Sequence, residues 1–293
     1  MRLLFVFVFL SSVAFGQNVH IPDANFKKCL VNDTLINTNG DTEIQLSEAE
    51  SFSGEIACFN KGIKDLTGIE SFTALTRLSC GANQLSTLDV SKNTALTRLS
   101  CGANQLSSLD VSKNIALIKL YCWKNQLSSL DASKNIALTR LSCWNNQLIT
   151  LDVSKNTALS ELHCYNNQLS SLDVSKNISL TKLYCGFNQL SSLDVSKNIA
   201  LTKLYCYNNQ LITLDVSKNT ALTRLSCGAN QLSTLDVSKN IALTYLSCFN
   251  NQLTSLDVSK NTALTTLSCS RNQLTCVTGV PDDCKLEGAE KCD

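Results

Sequence analysis

From residue 75 onward the apolar positions fall into one recurring pattern. The stretch LTRLSCGANQLSTLDVSKNTA, residues 75–95, returns almost unchanged as LTRLSCGANQLSSLDVSKNIA directly after it and as LTRLSCGANQLSTLDVSKNIA from residue 222. Each unit has two halves, L-x-x-L-x-C-x-x-N-x-L and L-x-x-L-D-V-S-K-N-x-x-L, with Ala132 the one departure at the Val position. In both halves the pattern alternates: Arg77 outward, Leu78 inward, Ser79 outward, Cys80 inward; then Thr87 outward, Leu88 inward, Asp89 outward, Val90 inward. That period predicts a short strand in each half. A single turn cannot bury its own leucines, so turns must stack and continue one another's apolar rows. The expected fold is a β-rich solenoid with two short strands per 21-residue turn, forming two parallel sheets that face each other. At roughly 4.8 Å per strand, ten turns make a rod on the order of 50 Å long. Asn83 with its nine equivalents, and Asn93 with its eight, are expected to turn inward and bond backbone groups at the corners.

Both halves are versions of L-x-x-L-x-L-x-x-N, with Cys or Val in the third apolar slot. The chain therefore resembles the leucine-rich repeat proteins, specifically the secreted bacterial class with a nested 21-residue repeat sometimes called IRREKO. The resemblance covers about residues 56 to 280. It implies a leucine-rich repeat rod and a role in adhesion or in contact with a host or another cell surface.

Ten cysteines, Cys80 through Cys269, recur at intervals of 21. They occupy an inward slot and are expected to form a buried row of free thiols acting as small hydrophobes. Parallel neighbours would hold their Cβ atoms near 4.8 Å apart, beyond the usual 3.5–4.5 Å of a disulfide. A metal row is disfavoured, because tetrahedral ligands must converge from several directions. The other five cysteines flank the repeats, where solenoid ends need caps and exported caps are often stapled. Cys29 and Cys58 are the candidate pair at one end. Cys276, Cys284 and Cys292 at the other allow one pair and one odd thiol, in a pairing the sequence leaves open.

The first residues, MRLLFVFVFLSSVAFGQ, combine Arg2, the apolar run Leu3 to Leu10 and a small-x-small site ending at Gly16. They read as a secretory signal peptide, residues 1–16, cleaved before Gln17. Residues 17–55 read as a small helical N-terminal cap. One helix carries Phe26, Cys29 and Leu30 on one face with Pro22 in its first turn, and Ser47 with Glu50 suggests a capping box for a second. Between them, NTNGDTEIQLSE places Asn37, Asn39, Asp41, Glu43 and Glu48 at EF-hand ligand positions, with Thr42 where the loop glycine belongs. Two readings stand: a degenerate loop that caps the rod, or a weak structural Ca²⁺ site. No other cofactor is expected. This end resembles the caps of internalin-like proteins. After the solenoid, residues 56–280, Pro281 breaks the strand pattern and residues 281–293 form a C-terminal cap or tail. Related surface proteins continue into an anchoring domain, and these last residues do not show one.

Lys and Arg number 25 against 24 Asp and Glu, which argues against nucleic acid or anionic membrane as the partner. No later run is apolar and long enough for membrane insertion. The chain is read as a secreted monomer, extracellular or at the cell surface.

The second half-repeat barely varies, and its Asp89 and Lys92 rows read as solvated charge that balances itself. Nine equivalent aspartates offer no differentiated pair for glycoside cleavage, so an enzyme, polysaccharide-active or otherwise, is disfavoured. Ice binding is disfavoured too, since it needs flat threonine rows and the regular face here is charged. The first half-repeat varies in its outward slots, and all six tyrosines and both tryptophans fall there. The candidate ligand-binding residues are Lys119, Tyr121, Trp123, Arg140, Trp144, His163, Tyr165, Lys182, Tyr184, Phe187, Lys203, Tyr205 and Tyr207. Aromatic and basic side chains enriched on one face suit a protein or carbohydrate ligand with an acidic or polar surface. The competing readings are aromatics that only prop the sheet, and a passive envelope spacer.

Overall fold

The computed structural model describes residues 16 to 292. The expected signal peptide, residues 1–15 of it above all, lies outside the described residues.

The cap opens with helix α1 (Ala24–Val31), which buries Phe26 and Leu30. Asp23 starts it: one carboxylate oxygen accepts from the backbone of Asn25 and Phe26, each at 2.9 Å. Its other oxygen accepts from Lys64 N at 2.8 Å and Asp65 N at 3.2 Å, so a single side chain caps the helix and fastens it to the first turn of the rod. Pro22 therefore sits just outside the helix rather than in its first turn. Helix α2 (Leu46–Ser51) also begins earlier than Ser47 suggested. Glu48, not Glu50, closes its first turn by accepting from Gln45 N at 3.0 Å, a shift that lets Ala49 pack inward beside buried Ile44.

One strand per turn follows: β1 (Glu55–Ala57), β2 (Arg77–Ser79), β3 (Arg98–Ser100), β4 (Lys119–Tyr121), β5 (Arg140–Ser142), β6 (Glu161–His163), β7 (Lys182–Tyr184), β8 (Lys203–Tyr205), β9 (Arg224–Ser226), β10 (Tyr245–Ser247) and β11 (Thr266–Ser268). These eleven pair in parallel, in order and in register, so Leu99 faces Leu120 and Leu162 faces Leu183. After β12 (Cys276–Val277), β13 (Lys285–Glu287) adds a twelfth strand beside β11, and β14 (Glu290–Lys291) pairs with β12. The chain is a parallel-sheet solenoid, a leucine-rich repeat rod.

In one respect it differs from expectation. The second half-repeat adds no strand, so the rod has one long sheet and not two facing ones. The reason is local hydrogen bonding. Asp89 Oδ1 accepts from Ser91 N at 2.8 Å, and Val90 O accepts from Asn93 N at 3.0 Å, in a turn repeated down the rod. These short-range bonds engage groups that a ladder would have paired across turns. The inward residues are nonetheless as expected, for Val90 and its equivalents are fully buried.

Both asparagine rows turn inward. Asn125 donates to Cys101 O and Cys122 O, each at 3.1 Å, and accepts from Leu106 N at 3.0 Å, tying two turns together. Asn114 donates to Val90 O and Asn93 O, both at 2.9 Å, while its own buried oxygen meets no protein donor. The ten ladder cysteines are buried free thiols. Burial pushes those of Cys101, Cys143 and Cys206 up to about 12, which removes thiolate chemistry at neutral pH. Disulfides join Cys29 to Cys58, with Cα atoms 6.0 Å apart, and Cys276 to Cys292, at 5.0 Å. Cys284 is left as a free thiol.

Candidate functional site

Each strand projects alternate residues from the open face of the sheet, and the two flanking the inward leucine and the one just past the cysteine lie in line. Lys182, Tyr184 and Gly186 are one such set. Stacking the turns makes three parallel columns. Lys119, Arg140, Lys182 and Lys203 fall in the first, Tyr121, His163, Tyr184 and Tyr205 in the second, and Trp123, Trp144, Tyr165 and Tyr207 in the third. The structure brings all of these candidates onto one face. Phe187 stands one residue further on, at the edge of the sheet, exposed and with its ring edge-on to Tyr207 at 5.2 Å.

The rings lie at the spacing of the strands. Trp123 and Trp144 stack with centroids 4.9 Å apart and planes within 2°, and Trp144 stacks on Tyr165 at 5.0 Å and 9°. In the second column Tyr184 and Tyr205 stack at 4.8 Å, and His163 leans on Tyr184 at 4.4 Å. Trp123's remaining face is covered as well: a Cβ placed on Gly102 would meet its ring at 2.5 Å. Consecutive rungs thus use their faces on one another and present edges outward. The stack ends after Tyr165, because the next residue in the column is Gly186. There the face opens into a depression of about 430 Å³ lined by His163, Tyr165, Tyr184, Gly186, Tyr205 and Tyr207. Burial pushes the hydroxyls of Tyr165, Tyr184 and Tyr207 above their ordinary range, so they stay protonated donors.

Charge in the first column is organised by a residue whose role the repeat pattern did not reveal. Glu161, the one carboxylate among the bases of β2 to β9, is nearly buried. It pairs with Arg140 at 2.8 Å and Lys182 at 2.7 Å. Burial pushes its carboxyl up, but the two cations outweigh that and hold it below its ordinary value. His163 Nε2 lies 3.7 Å from the other oxygen, yet burial keeps the imidazole below its ordinary value and neutral at pH 7. Sequence reasoning also missed Lys124, whose amine sits 5.6 Å over Trp144, and Arg98, 5.3 Å over Tyr121. Lys119 and Lys203 have no carboxylate within ion-pair distance among the described residues.

In the cap, Asn37 donates to Val31 O at 3.1 Å and Asp41 O at 2.8 Å. Asn39 donates to Asp41 and Gln45, Asp41 accepts from Glu43 N at 2.7 Å, and Glu43 pairs with Lys27. Glu48 accepts from Thr38 N, Thr38 Oγ1, Asn39 N and Gln45 N, at 2.7 to 3.3 Å. The side-chain oxygens of Asn37, Asn39, Asp41 and Glu48 thus accept from the loop's own donors.

Comparison with known proteins agrees with this architecture. A family model for leucine-rich repeats, two copies, matches residues 241–282. Internalin J of Listeria monocytogenes is 42% identical over 77 residues, which is 26% of this chain and 8% of that protein. The solved functional domain of InlJ from the same organism, described as including a cysteine ladder, superposes with a TM-score of 0.87 at 39% identity, covering 94% of this chain and 62% of that one. The crystal structure of an internalin, InlF, also from Listeria monocytogenes, superposes at 0.71 over 97% of this chain and 95% of its own, where 19% identity speaks for the fold alone. Repeat length, cysteine row and chain trace together make this protein an internalin-like leucine-rich repeat protein.

Proposed function

We propose that the protein is an exported, non-catalytic binding module, acting as a monomer, that holds a protein or glycan of another cell or a host surface on the open face of its sheet. One observation carries the reading. The side chains that face outward from the sheet vary from turn to turn, and the chain's tyrosines and tryptophans are confined to those positions. Turns built from one template need no such variation to stack. Rods of this kind commonly serve as protein-binding and adhesion modules, and the basic first column favours a partner with acidic or polar groups.

The test compares the mature chain with a variant carrying Trp123→Ser, Trp144→Ser, Tyr165→Ser and Tyr207→Ser, on cell surfaces and glycan panels. Binding by the first and at least tenfold weaker binding by the second, roughly 1.4 kcal/mol or more, is the expected result. The stacked rungs also favour a second reading, a passive spacer whose aromatics only brace the sheet, at about 0.5–1.5 kcal/mol per pair. That reading requires the variant to melt earlier with no binding to lose. For the cap we propose a loop closed by its own hydrogen bonds. Thermal unfolding should then be the same in excess Ca²⁺ and in chelator, and a rise of several degrees with Ca²⁺ would instead assign an ion to Asn37, Asn39, Asp41, Glu43 and Glu48.

A further inference from the structure

We infer that the break at Gly186 is a seat for one pyranose ring of an acidic glycan, a proposal that rests on the open face being the binding surface. The rest of the array is too regular to single out a position, and this turn is where the regularity fails. Gly186 has an aromatic ring on both sides in its column, Tyr165 before and Tyr207 after. Among the described residues the far face of Tyr165 stacks on no ring. Gly228 is similarly flanked, but there Phe249 fills the space: a Cβ on Gly228 would meet its ring at 2.4 Å. Over Gly186 the ring of Tyr207 is looser, at 3.1 Å, with the Tyr207 carbonyl oxygen at 2.9 Å, and the neighbouring column supplies His163, Tyr184 and Tyr205 as walls where Gly228 has Ser226 beside it.

The residue after the break is also exceptional. Elsewhere the glycine of this column is followed by Ala82, Ala103 or Ala229, all at positive φ. Here Phe187 takes that conformation, with φ of 50°, although a bulky side chain is strained there. Its ring meets Tyr207 edge-on, at 79°, whereas Trp144 and Tyr165 stack in parallel. The strained residue thus packs against one wall of the depression.

The lining chooses the ligand. It contains tyrosine, histidine and glycine and no aliphatic side chain. Ring faces with hydroxyls at their rims suit a ligand that is itself a ring, apolar on its faces and hydroxylated around its edge. A volume of about 430 Å³ falls in the lower part of the roughly 300–1,000 Å³ range of small-molecule sites. The neighbouring charges favour an acidic sugar. Lys182 is already held by Glu161, whereas Lys203, on the strand that carries Tyr205, is without a carboxylate partner among the described residues. A carboxylate or sulfate on the ring would meet Lys203.

Gly186→Tyr tests this directly, because it continues the column with a residue already used at Tyr165 and Tyr207. The substitution closes the depression yet leaves a larger aromatic face. Binding would be measured to hyaluronan, heparin-derived and sialylated oligosaccharides and to neutral chito- and cello-oligosaccharides. The native chain should bind an acidic set, Gly186→Tyr should lose about tenfold or more, and Lys203→Gln should weaken binding and flatten its salt dependence. Tyr184→Phe, which keeps the ring and removes one hydroxyl, gives the same information if Gly186→Tyr fails to fold. Equal glycan binding by the native chain and these variants would overturn the seat while leaving the face as the site. Binding of neutral glycans alone would overturn the acidic assignment. A native chain that binds a protein partner and no glycan, with Gly186→Tyr binding it as well, would overturn the proposal but not the function it rests on.

Discussion

Two residues after each ladder cysteine the backbone enters the left-handed region, with φ between 49° and 57° at Ala82, Ala103, Lys124, Asn145, Asn166, Phe187, Asn208, Ala229, Asn250 and Arg271. Asparagine tolerates that conformation and alanine does not, so these turns differ in strain although they share a shape. Ala229 lies between Asn208 and Asn250 in this column. Ala229→Asn should raise stability by about 0.5–1 kcal/mol in urea unfolding, with no change in the slope. Phe187→Asn should gain little, because relief of strain is offset by loss of the edge-on contact with Tyr207, about 0.5–1.5 kcal/mol. The position was not legible beforehand. Its occupants include Lys, Phe and Arg, and no glycine marks the turn. The neighbouring asparagine row was legible, because a polar residue at every corner of an apolar pattern has to find backbone partners inside.

The two halves of a turn teach different lessons about reading an element. Strand and inward residues of the first half were plain, since alternation of Leu and Cys leaves one face to bury. The second half alternates equally well, and it still forms a turn, because Asp89 and its equivalents bond the backbone two residues on. Alternation reports which side chains go inward; it does not report whether the backbone bonds sideways or to itself. The aspartates give this element a measurable signature. In Asp89, Asp110, Asp131, Asp152, Asp173, Asp194, Asp215, Asp236 and Asp257 the N–H of the serine two residues on holds the carboxyl below its ordinary value. Unfolding restores the ordinary value of about 3.9, so the unfolded chain binds more protons in acid. Their contribution is complete above that pH and is lost as pH falls through the lower folded values. Thermal midpoints should therefore drop steeply below about 4, beyond the shallower loss that His163, whose imidazole burial holds below its ordinary value, adds as pH falls below about 6.5. Asp152→Asn, which keeps the accepting oxygen but cannot ionise, should remove one ninth of that acid sensitivity.

The candidate face was partly legible at the scale of the whole molecule. Its columns follow from the repeat register, so the sequence alone could place Lys182, Tyr184 and Gly186 on one line. What the register could not supply is how neighbouring rings meet. Trp123, Trp144 and Tyr165, candidates for ligand contact by position, cover one another, which leaves Gly186, a residue with no side chain, as the point of interest. Register also makes a prediction about length. Removing residues 213–233 joins Ile212 to Thr234, the same junction that Ile212 makes with Thr213, and leaves every other turn in phase. That shortened chain should fold cooperatively with a slightly lower melting temperature and intact disulfide caps, whereas removing one residue fewer should disrupt the turns on either side of the join. Circular dichroism and thermal unfolding of the two chains would distinguish them.

A rod whose turns present nearly the same surface above and below has a further property. Near-identical 21-residue units imply near-identical coding segments, and such segments misalign when a gene is copied or recombined. In most folds the resulting gain or loss of a segment destroys the protein. Here each slip by a whole unit inserts or withdraws a floor that already fits its neighbours, as long as the capped ends remain. Reach is thus a trait that can drift between lineages in steps of one strand spacing, while the few differentiated turns in the middle are carried along unchanged.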